Sequence, residues 1–245
     1  MLRKHNLDKL IIPAVLIIAS LLVVIGFNQT GNQTQPKNKA DITEQLNELC
    51  LEIYSKSARA VVSVKSPVTI RKSQTGAGTG FVINNKGFVL TAFENVEDAK
   101  SVITTSFGGT TSKMEVVKVN AAQGWALLKP ITNVSTQNYL TFDESSEYKI
   151  ADALFVVSDS VNSMVFSGKP TISSGELTGI YEKGKSASKM IETSCDAGDG
   201  SIGAPLINVD GKVIGMIQSY RKPGRWLVTA TPAQTFHGNL LKNIE

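Results

Sequence analysis

Beyond residue 60 the chain is cut into short runs of Val, Ile, Thr and Phe, and no long helical pattern interrupts them. The runs are AVVSVKS, PVTIRKS, GTGFVIN, GFVLTA, SVITTSF, MEVVKVN, WALLKP, DALFVVS, SSGELTGIY, APLINV, KVIGMIQS and RWLVTATP, punctuated by Gly, Asn, Asp and Ser. About twelve strands at near-regular spacing predict an all-β antiparallel sandwich or barrel architecture. Asn85-Lys86-Gly87 and Asp210-Gly211 read as hairpin turns, and the closing PAQTFHGNLLKN as a short helix. No repeat of fixed period is visible. Ahead of the strands, Asp41 reads as an N-cap with Glu44 three residues on. Ile42, Leu46, Leu49, Cys50 and Ile53 recur at helical spacing, which predicts an amphipathic helix of about four turns ending before Val61.

The N-terminal region follows a different logic. Leu10 to Phe27 is an uncharged, mostly apolar run whose helix would span about 27 Å, enough for a bilayer core. Arg3, Lys4 and Lys9 precede it and no charge follows immediately. The expectation is therefore a signal anchor: residues 1–9 cytoplasmic, 10–27 transmembrane, 28–42 a polar tether, and 43–245 a single domain outside the cell membrane. A cleaved signal peptide is the rival reading, but no Ala-x-Ala-like site ends the run. Of the 25 Lys+Arg and 21 Asp+Glu, three and one precede residue 28, leaving 22 and 20. So nearly balanced a domain gives no sign of nucleic-acid binding.

Candidate chemistry is sparse. The two histidines, His5 and His237, have no neighbour at metal-ligand spacing, and two cysteines exclude a four-thiolate zinc site. No metal or cofactor is expected. Gly179 to Ser186 fits the phosphate-loop pattern G-x-x-x-x-G-K-[ST] by letter, but the ASKMIETSCDAGDG around and after its end is too short and too rich in Gly and Asp for the helix that pattern needs. It reads as a basic hairpin tip, with no nucleotide expected. Gly76, Gly78 and Gly80 likewise precede a strand where a dinucleotide fingerprint needs a helix. Asn28, Asn32 and Asn133 fit the N-glycosylation pattern, which matters only in a host that glycosylates exported proteins. Cys50 and Cys195 leave two readings, one disulfide or two separate buried thiols.

Several of the runs, in order, carry a resemblance. GTGFVINNKGFVLTA followed by ENVEDA, then GWALLKP, then SSGELTGI, then MIETSCDAGDGSIGAPLINVDGKVIGM, and finally LVTATP resemble successive segments of HtrA/DegP-type serine proteases, a branch of the chymotrypsin-like PA clan. The resemblance runs from about residue 43 to the C-terminus. It implies two antiparallel six-stranded β-barrels of trypsin-like fold with the active site between them. A PDZ domain, usual in that family, is not expected here. The family's trimers use aromatic residues near the N-terminus of the domain. Tyr54 is the only one in the leading segment here, so a homo-oligomer is not indicated.

The same resemblance places Glu94 at the catalytic histidine position, Gly124 at the aspartate position and Ile202 at the serine position. Gly200, Ser201 and Ile202 would form a vestigial oxyanion loop, with Ser201 the fallback nucleophile after a one-residue slip. A serine hydroxyl attacks only when a neighbouring imidazole takes its proton and a carboxylate fixes the imidazole's tautomer. Isoleucine has no nucleophilic atom, and a carboxylate is a far weaker base than imidazole. The expectation is a catalytically inactive, membrane-anchored homologue that binds peptide segments or proteins through the old cleft. The alternatives are an active serine endopeptidase with a rearranged site and a purely structural domain whose cleft has filled in.

Overall fold

In the computed structural model the described residues are 39–67, 77–145, 147–159, 164, 167–183, 188–222 and 225–241. The expected anchor, the strand expected at PVTIRKS, two of the sequons (Asn28 and Asn32) and residues 184–187 at the basic tip lie wholly or mainly outside them. No helix among the described residues is long and apolar enough to cross a membrane.

The chain opens with helix α1 (Lys39–Ser57) and a 3-10 turn, Ala58–Ala60. The helix starts earlier than its expected cap at Asp41, so residues 39–42 of the expected tether are helical. Six strands follow: β1 (Val61–Lys65), β2 (Gly78–Val82), β3 (Val89–Ala92), β4 (Ser101–Thr105), β5 (Thr111–Asn120) and β6 (Trp125–Pro130). They close into an antiparallel barrel in the order β1-β2-β3-β6-β5-β4. A second barrel is built from β7 (Ala153–Ser158), β8 (Thr171–Lys183), β9 (Ser188–Thr193), β10 (Pro205–Ile207), β11 (Val213–Lys222) and β12 (Arg225–Pro232), in the closed order β10-β11-β12-β9-β8-β7. Helix α2 (Gln234–Leu241) ends the fold. This is the expected pair of six-stranded barrels.

The predicted turns form for identifiable reasons. Gly87 and Gly211 hold φ of +75° and +76°, a left-handed backbone that other residues adopt at a cost. Asn84 Oδ1 accepts from the N–H groups of Lys86 and Phe88, and Asn208 Oδ1 from those of Asp210 and Lys212. These are the side-chain-to-backbone bonds that make asparagine a turn residue.

Strand β7 explains how the halves join. All six of its residues are buried, because both of its faces are covered. Leu154 and Val156 point into the second barrel with Leu177, Ile191, Leu206 and Ile217. Phe155 and Val157 point the other way, into a core shared with the first barrel, Ile53 of α1, and Phe236 and Leu240 of α2. Phe142, on the connection between the barrels, stacks edge-on against Phe81 and Phe236 at 6.3 and 5.6 Å between centroids. One continuous apolar core thus spans the junction.

Candidate functional site

Three segments meet where the barrels join: the 3-10 turn Phe93–Asn95 after β3, the residues before β6, and the loop leading into β10. Pairing of Ala92 with Trp125 brings the first two together, and the Phe93 N–H donates to the Gly124 carbonyl at 3.0 Å. Glu94 and Gly124 are therefore close neighbours across β3 and β6. The third segment is clamped onto them: the Ile202 carbonyl accepts from the Thr79 N–H at 2.9 Å and from Asn95 Nδ2 at 2.8 Å. The structure thus gathers Glu94, Gly124 and Ile202 into one place.

The surroundings of these three residues are largely apolar and amide-lined. Ile202 is 8% exposed, and its side chain belongs to the apolar core shared by the two barrels. Phe93 packs against the same core. Gly124 has φ +75°, and its carbonyl also accepts from Gln218 Nε2 at 2.7 Å. A Cβ at Gly124 would lie 2.8 Å from Gln218 Oε1, so Gln218 occupies the space into which a side chain at 124 would grow. Ser201 is fully buried, with its Oγ 2.9 Å from the Ser158 hydroxyl, a group far too weakly basic to activate it. The Ser201 N–H is turned back onto the Gly198 carbonyl at 2.9 Å.

Residues that sequence reasoning passed over hold this arrangement. Asn95 Nδ2 reaches Thr91 Oγ1 and the Thr79 carbonyl as well as Ile202. The Thr79 hydroxyl donates to the Gly200 carbonyl at 2.6 Å and accepts from the Asp159 N–H at 2.9 Å. Asp159, itself buried, accepts from the Met164 N–H through Oδ1. Gly203, at φ +88°, lies so close to the Thr79 carbonyl that a Cβ there would overlap it. The signal for Asn95 and Gln218 is faint, since amides on loops and strand ends are ordinary. The GTG run is the better clue, because Gly78 leaves room for the Asn95 amide.

Of the two readings of the cysteines, the structure holds two free thiols, Cys195 buried and Cys50 half-buried. The β7–β8 wall separates them. Cys50 hydrogen-bonds Ser174, which pairs with outward-facing Phe155; Cys195 packs at Gly175 and donates to the Leu154 carbonyl inside the second barrel. Burial raises the Cys50 thiol, and it pushes Cys195 up to about 12. His237 lies on α2, past the last strand.

Residues 78–216, more than half of the chain, match the family model described as a trypsin-like peptidase domain. The chain belongs to this family. Among trypsin-like peptidases it is similar to a probable periplasmic serine endoprotease, DegP-like, from Chlamydia trachomatis, at 24% identity over 80% of this chain and 39% of the relative. It is also similar to the Do-like serine protease HtrA of Bacillus subtilis, at 22% identity over 72% of this chain and 41% of that protein. The chain thus spans about two fifths of the length of these relatives. A solved HtrA-type protease, AlgW with a tripeptide, shares the fold with a TM-score of 0.65 at 16% identity, covering 80% of this chain and 63% of that one. The serine endoprotease of Yersinia pestis does so at 0.64 and 19%, covering 79% and 66%. The expected HtrA-like resemblance and the two-barrel fold both stand.

Proposed function

We propose that this trypsin-like domain does not hydrolyse peptides and instead binds extended polypeptide segments outside the membrane that anchors it. The observation that carries the first half is Ile202: it fills the nucleophile slot and is buried in the shared core, beside a glutamate and a glycine where the imidazole and carboxylate would stand. In a well-studied serine protease, loss of the serine or histidine alone costs about 10^6 in turnover.

Support for binding comes from β11. Its partner β10 reaches only Met216, and the Ile217 N–H and carbonyl are taken by Ala204 and Gly203. With β11 in unbroken register on β12 as far as Lys222, the main chains of Ser219 and Arg221 face the open side in the same phase. Among the described residues no strand pairs with them there. An extended peptide can add itself to such an edge through backbone groups alone. The apolar run 10–27, with its basic flank, supports the anchor, and the relative named periplasmic supports a place outside the cytoplasm. The packing of Ile202 and Phe93 favours a second reading, a structural domain with a filled cleft.

The deciding measurement pairs fluorophosphonate labelling and casein cleavage with amide exchange in the presence of extended peptides. We expect neither labelling nor cleavage, and slowed exchange at Ser219 and Arg221. Cleavage abolished by Ser201→Ala would replace this reading with the active, rearranged protease. Unchanged exchange with every peptide tried would leave the structural reading. An exported protein beginning between residues 25 and 40 would remove the anchor.

A further inference from the structure

The open stretch of β11 runs into a hairpin tip of one sign. Between Val213 and Pro232 the β11–β12 hairpin carries Arg221, Lys222 and Arg225 and no Asp or Glu, in a domain whose charges otherwise nearly cancel. The register sets Lys222 opposite Arg225 and Arg221 opposite Trp226, so the three cationic positions occupy the last two rungs, next to the open main chain of Ser219 and Arg221. Continuing the β9–β12 register past Thr193↔Val228 sets Asp196 level with Arg225, on the β9 side of β12 and with its carbonyl held by Ser173 of β8, whereas Arg221 and Lys222 stand on the edge strand itself.

Direction follows from the pairing. Neighbouring strands within both barrels pair antiparallel, and a strand added to β11 in that sense runs from the tip toward Ile202. Its N-terminal half lies beside Arg221 and Lys222 and its C-terminal half beside Ile217. From this placement we propose that the β11 edge selects extended peptides that are acidic in their N-terminal half, with an Asp or Glu two residues before the one that pairs with Ser219, directly across from Arg221. This inference rests on the peptide-binding reading above and adds the charge of the partner to it.

Opposite charges across a strand pair, or in exposed ion pairs, change affinity by about twofold to fivefold each, and two or three together by about tenfold. The charges act within a Debye length of about 8 Å at physiological salt, so the preference should fade as salt is raised. The experiment uses the full chain in uncharged detergent and three fluorescein-labelled decapeptides that share one apolar C-terminal half. Their N-terminal halves are acidic, Ser/Gly-neutral or basic, and anisotropy is read at low and high salt. The acidic peptide should bind about tenfold more tightly than the neutral one and the basic peptide more weakly, with the three converging at high salt. The double variant Arg221→Gln/Lys222→Gln should bring the acidic peptide to the neutral value and leave the neutral one unchanged, which a loss of folding could not do. Equal binding of all three at low salt would overturn the charge preference and leave the edge reading intact. No binding of any peptide would overturn the edge reading and the preference with it. Tip-dependent binding to phosphatidylglycerol vesicles, with no ranking among the peptides, would reassign the cations to a lipid surface and overturn the proposal.

Discussion

Cys195 and Ile202 stand seven residues apart on one loop, and both are turned inward by neighbours far away in sequence. The Cys195 thiol, enclosed in the second barrel, is pushed up to about 12, whereas an unfolded chain holds a cysteine at about 8.5. The native state therefore keeps a proton that the unfolded state releases. Its contribution to stability is complete below about pH 8.5 and is lost as pH rises toward the folded value. Cys195→Ala should make the fall in unfolding free energy between about pH 9 and 11 shallower by about 1.4 kcal/mol per pH unit, measured by urea melts at each pH. An unchanged slope would mean that the thiol is not the group that titrates. Native protein at pH 8 should accordingly offer a disulfide reagent Cys50 alone, with Cys195 reacting only on unfolding. Neither effect is legible in the sequence, where both cysteines are simply spaced residues; what separates them is a sheet wall that exists only after folding.

For the strands and turns, composition went far. Runs such as GFVLTA and DALFVVS became strands because β-branched and aromatic side chains suit a pleated, buried surface, and the Asn- and Gly-bearing turns closed where expected. The strand that escaped is β9, whose SKMIET has one β-branched apolar residue and a glutamate. Glu192 is nonetheless buried and accepts a 2.6 Å bond from the Tyr181 hydroxyl, a tertiary partner that no local pattern announces. The site was half legible. The resemblance points to Glu94, Gly124 and Ile202, which the fold brings near one another, whereas Asn95 and Gln218, whose bonds span 107 and 94 residues, emerge only in three dimensions. In the phosphate-loop match, Gly179 lies in β8 and Lys183 pairs with Ser188 at the start of β9, so the described part of the match is strand. Calorimetry with Mg-ATP should show no binding, either to the native chain or to Lys185→Ala. A micromolar ATP site removed by that substitution would refute the hairpin reading.

The two barrels, taken whole, repeat one topology: β7-β8-β9-β12-β11-β10 retraces β1-β2-β3-β6-β5-β4 around the ring, although no sequence period shows it. They are not independent halves, because the junction core draws on both barrels and both helices. Heat or urea should therefore unfold them in a single transition. Ile53→Ala, at a fully buried position on α1, should lower the stability of the whole by about 2–5 kcal/mol without splitting that transition. Two resolved transitions in calorimetry would show that the barrels melt separately. Closure matters in another way, because a closed ring presents no unpaired strand to its surroundings, and among the described residues the overhang of β11 is an exception to it. Bare backbone of this kind can template the same stretch of another copy, and such pairing is how soluble β-proteins begin to aggregate. In an antiparallel encounter of two overhangs, Arg221 and Lys222 of each copy fall within a few residues of their counterparts, and like charges facing each other disfavour the pair. Like charges at the hairpin should therefore oppose pairing of one copy with another, and solubility should fall as concentrated salt screens them.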